Sequence, residues 1–460
     1  MYNSLIENFQ LFLDHSLRQN SFYRKKAAQF IFPLEESLIK KASNNIYFTN
    51  EQQFIWKKPF EDIYLHSIGR IDFQKVFGYN QLFLSKEIFE EFKAGFVSNE
   101  DPSFFKKIPL FVGNNEFIPF SDTSVWNDFF NINWFIPKLL LILDKGKSLL
   151  VYCFSLKNEK KIILNEFEGY LSLIFNETKE NETEKPIISN KRSIHPGAWQ
   201  RLVDNALCEI GKGSFSKVVL SRKTEFDFKG NLDLSALRDV SARYPSCVSF
   251  LHKKGDSLFF GVTPERLLKI SEGFVETEAL AGSIKRGKKE DEDLFLSERL
   301  LRSNKNLTEQ QYVTDYITSK LANFTTDIIF NADPEIVKLE NIQHLRTNIT
   351  AQLKKDKFFF DLVNALHPTP AVCGYPKEAA YNFILSNEGY ERGLYSGITG
   401  WFNLYEEGEF AVAIRSALIK GNKLIAFSGC GIVEGSDALA EYEETEIKLK
   451  PILSIFGYEN

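Results

Sequence analysis

Cysteine pairs are the first thing this sequence lacks: Cys153, Cys208, Cys247, Cys373 and Cys430 are odd in number, scattered, and show no C-x-x-C spacing. That excludes a disulfide framework and a zinc knuckle, and it fits a reducing cytoplasm. Long uncharged apolar runs are missing too, so no segment reads as a membrane span. The first twenty residues mix charges with apolar residues at helical spacing and show neither a signal-peptide core nor a cleavage site. Basic charge is in deficit, with a net charge of −5, whereas a nucleic-acid binder needs a basic face for its phosphate contacts. The six histidines show no H-E-x-x-H or other metal spacing. Gly211-Lys212-Gly213-Ser214 lacks the G-x-x-x-x-G-K-S/T spacing of a phosphate loop and precedes its strand, which makes it a turn. The basic run KRGKK at 285–289 passes straight into EDED and reads as a charge-alternating solvated loop. The expected partner is therefore a small molecule.

With 460 residues, 43% of them hydrophobic, the chain can bury a large core as one big domain or two fused ones. The polar stretch NETKENETEKP at 176–186 reads as a surface loop. Before it, 138–154 looks like two buried elements broken by a Gly-containing turn, and no cluster there suggests chemistry. After it, the pattern predicts a helix over 199–210, a GKGSF turn, and a strand over 216–222. Near the end, strands over 410–419 and 423–427 flank Gly421-Asn422, a pair suited to a hairpin turn. Strand alternation would put Phe410, Val412, Ile414 and Leu418 on one face, leaving Arg415 alone among Ala411, Ala413 and Ala417 on the other, with room for a ligand. Ser428-Gly429-Cys430-Gly431 could then form an anion-binding nest. In the helix expected at 440–449, Glu441, Glu444 and Lys448 share one face, an ordinary solvated stripe unless other site residues join it.

Other site residues do join it. Lys217 lies in SKVVLSR, Glu265 in GVTPERLL, and LAGSIKRG spans 280–287. LHPTPAVCGYP at 366–376 and GLYSGITGW at 393–401 follow, then Arg415 and the tail GCGIVEGSDALAEYEETEIKLKP. Taken in this order, from about Trp199 to Pro451, the set resembles the chorismate-binding enzyme family. The resemblance implies an α/β (α+β) fold of two interlocked antiparallel sheets packed face to face, with helices outside. Residues 1–190 would form a divergent N-terminal half and 191–460 the chorismate-binding catalytic region of one intertwined domain, with the loop near Asn181 at the seam. A lysine at 217 is implied to activate water, as in isochorismate and salicylate synthases, where anthranilate synthases carry Gln and use ammonia. HPTPAV also resembles the isochorismate synthase form of that loop, although Cys373 replaces its second glycine. The implied activity is magnesium-dependent conversion of chorismate to isochorismate. Salicylate synthase, anthranilate synthase component I and a non-catalytic chorismate-binding regulator are the rivals. A regulator should have lost at least one of Lys217, Glu265, Glu309 or Glu444, and all four are present.

The resemblance also assigns roles. Mg²⁺ would be held by Glu309 and Glu444, with Glu441 assisting directly or through water, and would meet the ring carboxylate of chorismate, in keeping with its preference for a few carboxylates plus substrate oxygen. The enolpyruvyl carboxylate would meet the planar fork of Arg415, with Lys448 and the Gly429 and Gly431 backbone nearby. Gly282 and Ser283 would close the ring side, and Ala371, Val372, Tyr395, Ile414 and Phe427 would wall the site. His344 either touches substrate or serves a structural hydrogen bond, and His367 organises its loop. Lys217 would be the base and Glu265 the acid, a pair that in the bland alternative is only a structural salt bridge. Free lysine titrates near ~10.4 and free glutamate near ~4.3, so such roles require burial. The chemistry calls for no nicotinamide, flavin or glutamine amidotransferase subunit, and a cytoplasmic monomer feeding menaquinone or siderophore synthesis is expected.

Overall fold

The computed structural model describes residues 2–23, 26–71, 86–100, 108–130, 134–176, 186–230, 232 and 234–457. Nearly all of the polar stretch at 176–186, and with it the expected seam near Asn181, lies outside the described residues. No described helix is long and apolar enough to cross a membrane.

The apolar run at 138–154 shows how the layers arise. Its strands Leu139–Asp144 and Lys147–Ser155 pair across Lys145-Gly146, both at positive φ, as a two-residue hairpin turn demands. Leu149, Val151 and Cys153 enter one apolar layer, while Leu150, Tyr152 and Phe154 enter another on the opposite face. A strand buried on both sides reads as continuous hydrophobicity rather than alternation, which is why the segment was legible as buried but not as a strand.

Among the described residues the strands form sheets of thirteen and nine. The larger runs Gly374–Tyr375, Lys217–Lys229, Lys423–Ile432, Ser416–Lys420, Ser257–Thr263, Val248–Lys254, Gln53–Lys58, Ile63–Ile68, Leu139–Asp144, Lys147–Ser155, Ala27–Pro33, Phe96–Ser98, with Ile187–Ser193 also on Lys217–Lys229. The smaller centres on Ile342–Leu353, Phe274–Lys285, Arg266–Ser271, Gly408–Val412, Ile398–Phe402 and Phe111–Asn115. Pairing is antiparallel throughout except between Ala27–Pro33 and Phe96–Ser98. The sheets face each other across one core, with Trp56, Phe250, Phe259 and Leu220 from the larger and Phe111, Val275, Phe402 and Phe410 from the smaller. Each such aromatic or leucine contributes about 1.5–3 kcal/mol by leaving water. Helices cover the outer faces. Leu5, Phe9 and Leu13 of Tyr2–Tyr23 recur at helical spacing on one side, and Leu449, Ile452 and Leu453 of Ala438–Leu453 pack on another.

Several sequence expectations need correction. The segment 410–419 is not one strand: Gly408–Val412 belongs to the smaller sheet and Ser416–Lys420 to the larger, and the chain changes sheet at 413–415. Arg415 takes φ 49° there, so simple alternation fails at the residue it was used to place. The glycines at 429 and 431 lie within strand Lys423–Ile432, opposite Ser221 and Val219, and form no nest. EDED is the first turn of helix Glu290–Leu301, where acidic side chains suit the positive end of the helix, and Asp293 is gripped by Arg286 and Lys338. The helix predicted over 199–210 is observed at Pro196–Gly211, capped by His195 Nδ1 accepting from Gly197 N at 3.1 Å. The Gly421-Asn422 turn forms as expected, with Lys420 opposite Lys423.

One buried ion pair fixes the 366–376 loop beside the lysine strand. Arg392 Nη2 lies 2.5 Å from Glu388 Oε1, with both side chains almost fully enclosed, and the guanidinium also donates to Val372 O at 2.9 Å and Val219 O at 2.7 Å. Arg392→Met should cost about 3–5 kcal/mol, because Glu388 would be left as an uncompensated buried charge. Adding Glu388→Gln should recover part of that loss, and melting temperatures of the parent, single and double variants measure both effects.

Candidate active site

A cleft of roughly 620 Å³ opens where the two sheets exchange chain. Two crossings build it. Strand Ser257–Thr263 leaves the larger sheet and passes through Pro264-Glu265 into Arg266–Ser271 of the smaller, while Gly408–Val412 returns through 413–415 to Ser416–Lys420. The crossings are hydrogen-bonded to each other, Val412 N to Glu265 O at 3.0 Å and Val262 N to Arg415 O at 3.0 Å. Glu265 and Arg415, which are 150 positions apart, thereby face one space.

Arg415 is the cleft's charge anchor. It is 5% exposed, and its Nη2 donates to His344 Nε2 at 3.1 Å. Among the described residues no carboxylate is within ion-pairing distance of it, so most of its N–H fork is unused, and burial disfavours its charge. His344 is held neutral by burial first and then by Arg415 and Lys448. Since its Nε2 accepts from the guanidinium, the proton belongs on Nδ1, 3.0 Å from Ser283 Oγ. His344 thus serves a structural hydrogen bond that orients Arg415, and it also lines the cleft. Gly282 sits at a bulge with φ 74°, which a side chain would strain, and this bulge turns Ser283 toward the cleft.

Lys217 begins its strand fully buried, opposite Tyr375 of the 366–376 loop. Its Nζ is 3.0 Å from Glu309 Oε1 but off the line of a hydrogen bond, and it has no hydrogen-bond partner among the described residues. The alternative Lys217–Glu265 ion pair does not form. A side chain at 431 would collide with Glu309 Oε1 and stand 3.0 Å from Lys217 Cε, so Gly431 leaves the space in which these two tips meet. Glu265, 5% exposed, has its pKa pushed up to about 8, first by burial and then by the charge of Glu278, against the pull of Lys217 and Lys448. It therefore holds a proton at neutral pH.

The three carboxylates assigned to a metal each face a lysine: Glu309 with Lys217, Glu444 with Lys448 at 2.6 Å, and buried Glu441 with Lys305. Burial, and then the charge of Glu444, raises the proton affinity of Glu441, and Glu309 adds to it, so the three sense one another. Among the described residues no three His, Cys, Asp or Glu side chains converge into a cage. This hard-oxygen set fits an ion that takes one or two protein carboxylates and completes its shell with substrate and water.

Gly282, Ser283, His344, Ala371, Val372, Tyr395, Ile414, Arg415, Gly429, Gly431 and Lys448 line the cleft, as do Glu265 and Glu309. Lys217 and Glu444 lie just behind the lining, joined to it through their ion pairs with Glu309 and Lys448, whereas Glu441 pairs with Lys305, itself outside the lining. Phe427 does not reach the cleft: the Tyr395 ring stacks over it at 5.1 Å, and Trp126 stacks on it at 5.6 Å. His367 organises its loop by donating from Nε2 to Ser396 O at 2.8 Å. Sequence reasoning missed Lys305, although its place four residues before Glu309 puts both on one helix face. It also missed Val219 and Ser396, which line the cleft through tertiary folding.

The neutral Glu265 makes stability depend on pH. Its contribution is fully present below the unfolded pKa of about 4.3 and is lost as pH rises through about 8. Glu265→Gln carries no charge at any pH, so its melting temperature should fall less than the parent's across that window. Superimposable pH–stability curves would contradict the assignment.

The chain matches the family described as "Chorismate binding enzyme" over residues 15–457. It is 32% identical over 418 residues to the isochorismate synthase MenF of Bacillus subtilis, covering 88% of each chain. It is 37% identical over 252 residues to the salicylate biosynthesis isochorismate synthase of Pseudomonas aeruginosa, covering 55% of this chain and 53% of that one. The solved structure of MenF, the menaquinone-specific isochorismate synthase from Escherichia coli, superposes with a TM-score of 0.77 at 24% identity over 99% of both chains, a likeness of fold. Family match, relatedness over most of the chain and shared fold lead to one conclusion: the chain belongs to the chorismate-binding enzyme family.

Proposed function

We propose that this protein is an isochorismate synthase, moving the hydroxyl of chorismate from C4 to C2 by adding water at C2 and losing the C4 oxygen. The observation that carries the reading is a buried guanidinium without an anion in a cleft that also holds a protonated glutamate and, just behind its wall, an unaligned lysine. Chorismate is a dianion, and Arg415 suits its enolpyruvyl carboxylate by bidentate pairing. Tyr395, Val372 and Ile414 would hold the ring, and Ser283 and Gly282 would close its other side. Glu309 and Glu444, with Glu441 assisting, would hold Mg²⁺, which when bound neutralises the ring carboxylate.

The proton transfers fall to this chain's own residues. Lys217 is the base placed to take a proton from the water that forms the new C–O bond at C2. Glu265 gives its proton to the departing C4 oxygen, which leaves as water while the ring double bonds shift. One proton has then passed in effect from Glu265's side to Lys217's, and solvent exchange restores both. Nothing is oxidised and no nitrogen is transferred, so the reaction calls for no redox cofactor and no amidotransferase partner.

Residues 1–190 and 191–460 are best taken as two halves of one domain, a reading supported by the N-terminal strands, which extend both sheets. The chain is inferred to act as a cytoplasmic monomer, with menaquinone and siderophore synthesis as the consumers to be distinguished.

Incubation with chorismate and Mg²⁺, without ammonia, should yield isochorismate and no pyruvate. Stoichiometric pyruvate with salicylate would replace this reading with a salicylate synthase. Lys217→Ala should lower kcat by roughly 10² to 10⁴, about 3–5 kcal/mol of barrier, with chorismate affinity changed far less. Near-parental kcat in that variant would remove the assigned base. Glu309→Gln should raise the Mg²⁺ concentration needed for half-maximal rate, since an amide is a poorer ligand for a hard cation.

A further inference from the structure

The proposed reaction needs Glu265 to hold a proton, and burial alone does not select which of two neighbouring carboxyls holds it. The second is Glu278, in strand Phe274–Lys285, with its side chain 9% exposed. It stands two positions before Leu280, which lines the cleft, so strand alternation puts both side chains on the same face. Glu278 Oε1 accepts from Arg266 N at 2.9 Å. That N–H belongs to the residue after Glu265, so the Glu278 carboxylate is seated on the Pro264-Glu265 crossing itself.

Three cations near Glu278 are each engaged elsewhere. Arg346 is 3.8 Å from Glu278 Oε2 but 2.7 Å from Glu335. Arg266 turns its guanidinium to Glu409 at 3.3 Å, Glu61 at 3.4 Å and Glu276 at 3.6 Å. Lys58 lies 2.5 Å from Glu409 and also pairs with Glu61. Together with the Arg266 N–H they favour the charged form of Glu278 against its burial, yet they leave that charge incompletely answered.

Glu265 has no such seat. Among the described residues its carboxyl meets one hydrogen-bond donor, Thr369 Oγ1, at 3.5 Å. Lys217 and Lys448 favour its charged form, Glu278 opposes it, and Arg415 and Glu309 line the same cleft. Two buried carboxylates this close cannot both stay charged cheaply, and the proton goes to the one with the poorer partners.

We infer, on the reading of the reaction given above, that Glu278 is a positioning residue: seated on the Arg266 N–H, its carboxylate steadies the crossing and makes Glu265 the carboxyl of the pair that carries the proton. Glu278 does not itself line the cleft, so it acts through Glu265.

The test is an infrared titration of the full chain without chorismate, following the protonated-carboxyl band that Glu265→Gln abolishes. Its midpoint in the parent is expected at about 8. Glu278→Gln keeps an oxygen to accept from Arg266 N but removes the charge, so the midpoint should fall by about one unit or more. The alkaline limb of kcat/KM for isochorismate formation, which reports the free enzyme, should fall with it. At pH 8 the protonated fraction then drops from about a half to about a tenth, roughly fivefold in rate. Glu278→Asp retains the charge, and its midpoint should stay closer to the parent's than to that of Glu278→Gln. An unmoved midpoint in Glu278→Gln, a midpoint in Glu278→Asp as low as that of Glu278→Gln, or an alkaline limb that stays in place while the midpoint moves would each overturn the inference. The infrared titration needs no turnover, so its failure is distinct from a failure of the isochorismate synthase reading, which shows as a parent that forms no isochorismate.

Discussion

Two short crossings between sheets, hydrogen-bonded side by side, hold the rest of the site in place. At Pro264-Glu265 the chain passes from the larger sheet to the smaller, and at 413–415 it passes back. Backbone bonds from Val412 to Glu265 and from Val262 to Arg415, with Thr263 Oγ1 donating to Val412 O at 2.7 Å, lock the two crossings together. Each crossing interrupts a ladder and bends a strand, so backbone groups that a continuous sheet would satisfy must find each other here. The positive φ of Arg415 is stored strain of the kind that persists only where surrounding structure over-determines it. Glu265 and Arg415 are thus positioned by backbone, with little freedom left to their side chains.

Around that seam the electrostatics are paired with one exception. Lys217, Lys305 and Lys448 each answer one of Glu309, Glu441 and Glu444, and Glu265 escapes charge by keeping its proton. Among the described residues Arg415 has only the neutral His344. A buried cation without an anion is costly, and a ligand carboxylate relieves that cost on binding, so affinity and orientation come from the same group. Buried Lys217 is the complementary case: its ion pair with Glu309 is poorly aligned, which leaves the nitrogen able to engage water.

The N-terminal half is built into both layers of the fold. Its strands extend both sheets, and Phe111 stacks on Phe402 at 4.6 Å, tying it to the layer that carries Phe410 and the second crossing. Among the described residues none before Val219 lines the catalytic cleft. Lys217 depends on the same packing, since the Arg392–Glu388 pair holds its strand against the 366–376 loop.

By itself the sequence determined the family and the fold class, because those rest on residue types at set spacings, and the residues it proposed for the site, Lys217, Glu265, Glu309, Arg415 and the Glu441, Glu444, Lys448 stripe, lie in or beside one cleft. Local periodicity also placed the helix at Pro196–Gly211 and the Gly421-Asn422 hairpin. Only the tertiary structure decided what long-range contacts control. It broke 410–419 at the sheet crossing, made Gly429 and Gly431 strand residues rather than a nest, covered Phe427 with Tyr395, and paired Lys217 with Glu309 instead of Glu265. Alternation along one strand cannot reveal that the chain changes sheet, since the cause lies in a partner crossing 150 positions away. Ion-pair choice is equally invisible to spacing, because it depends on which tips meet across the seam once two sheets have packed.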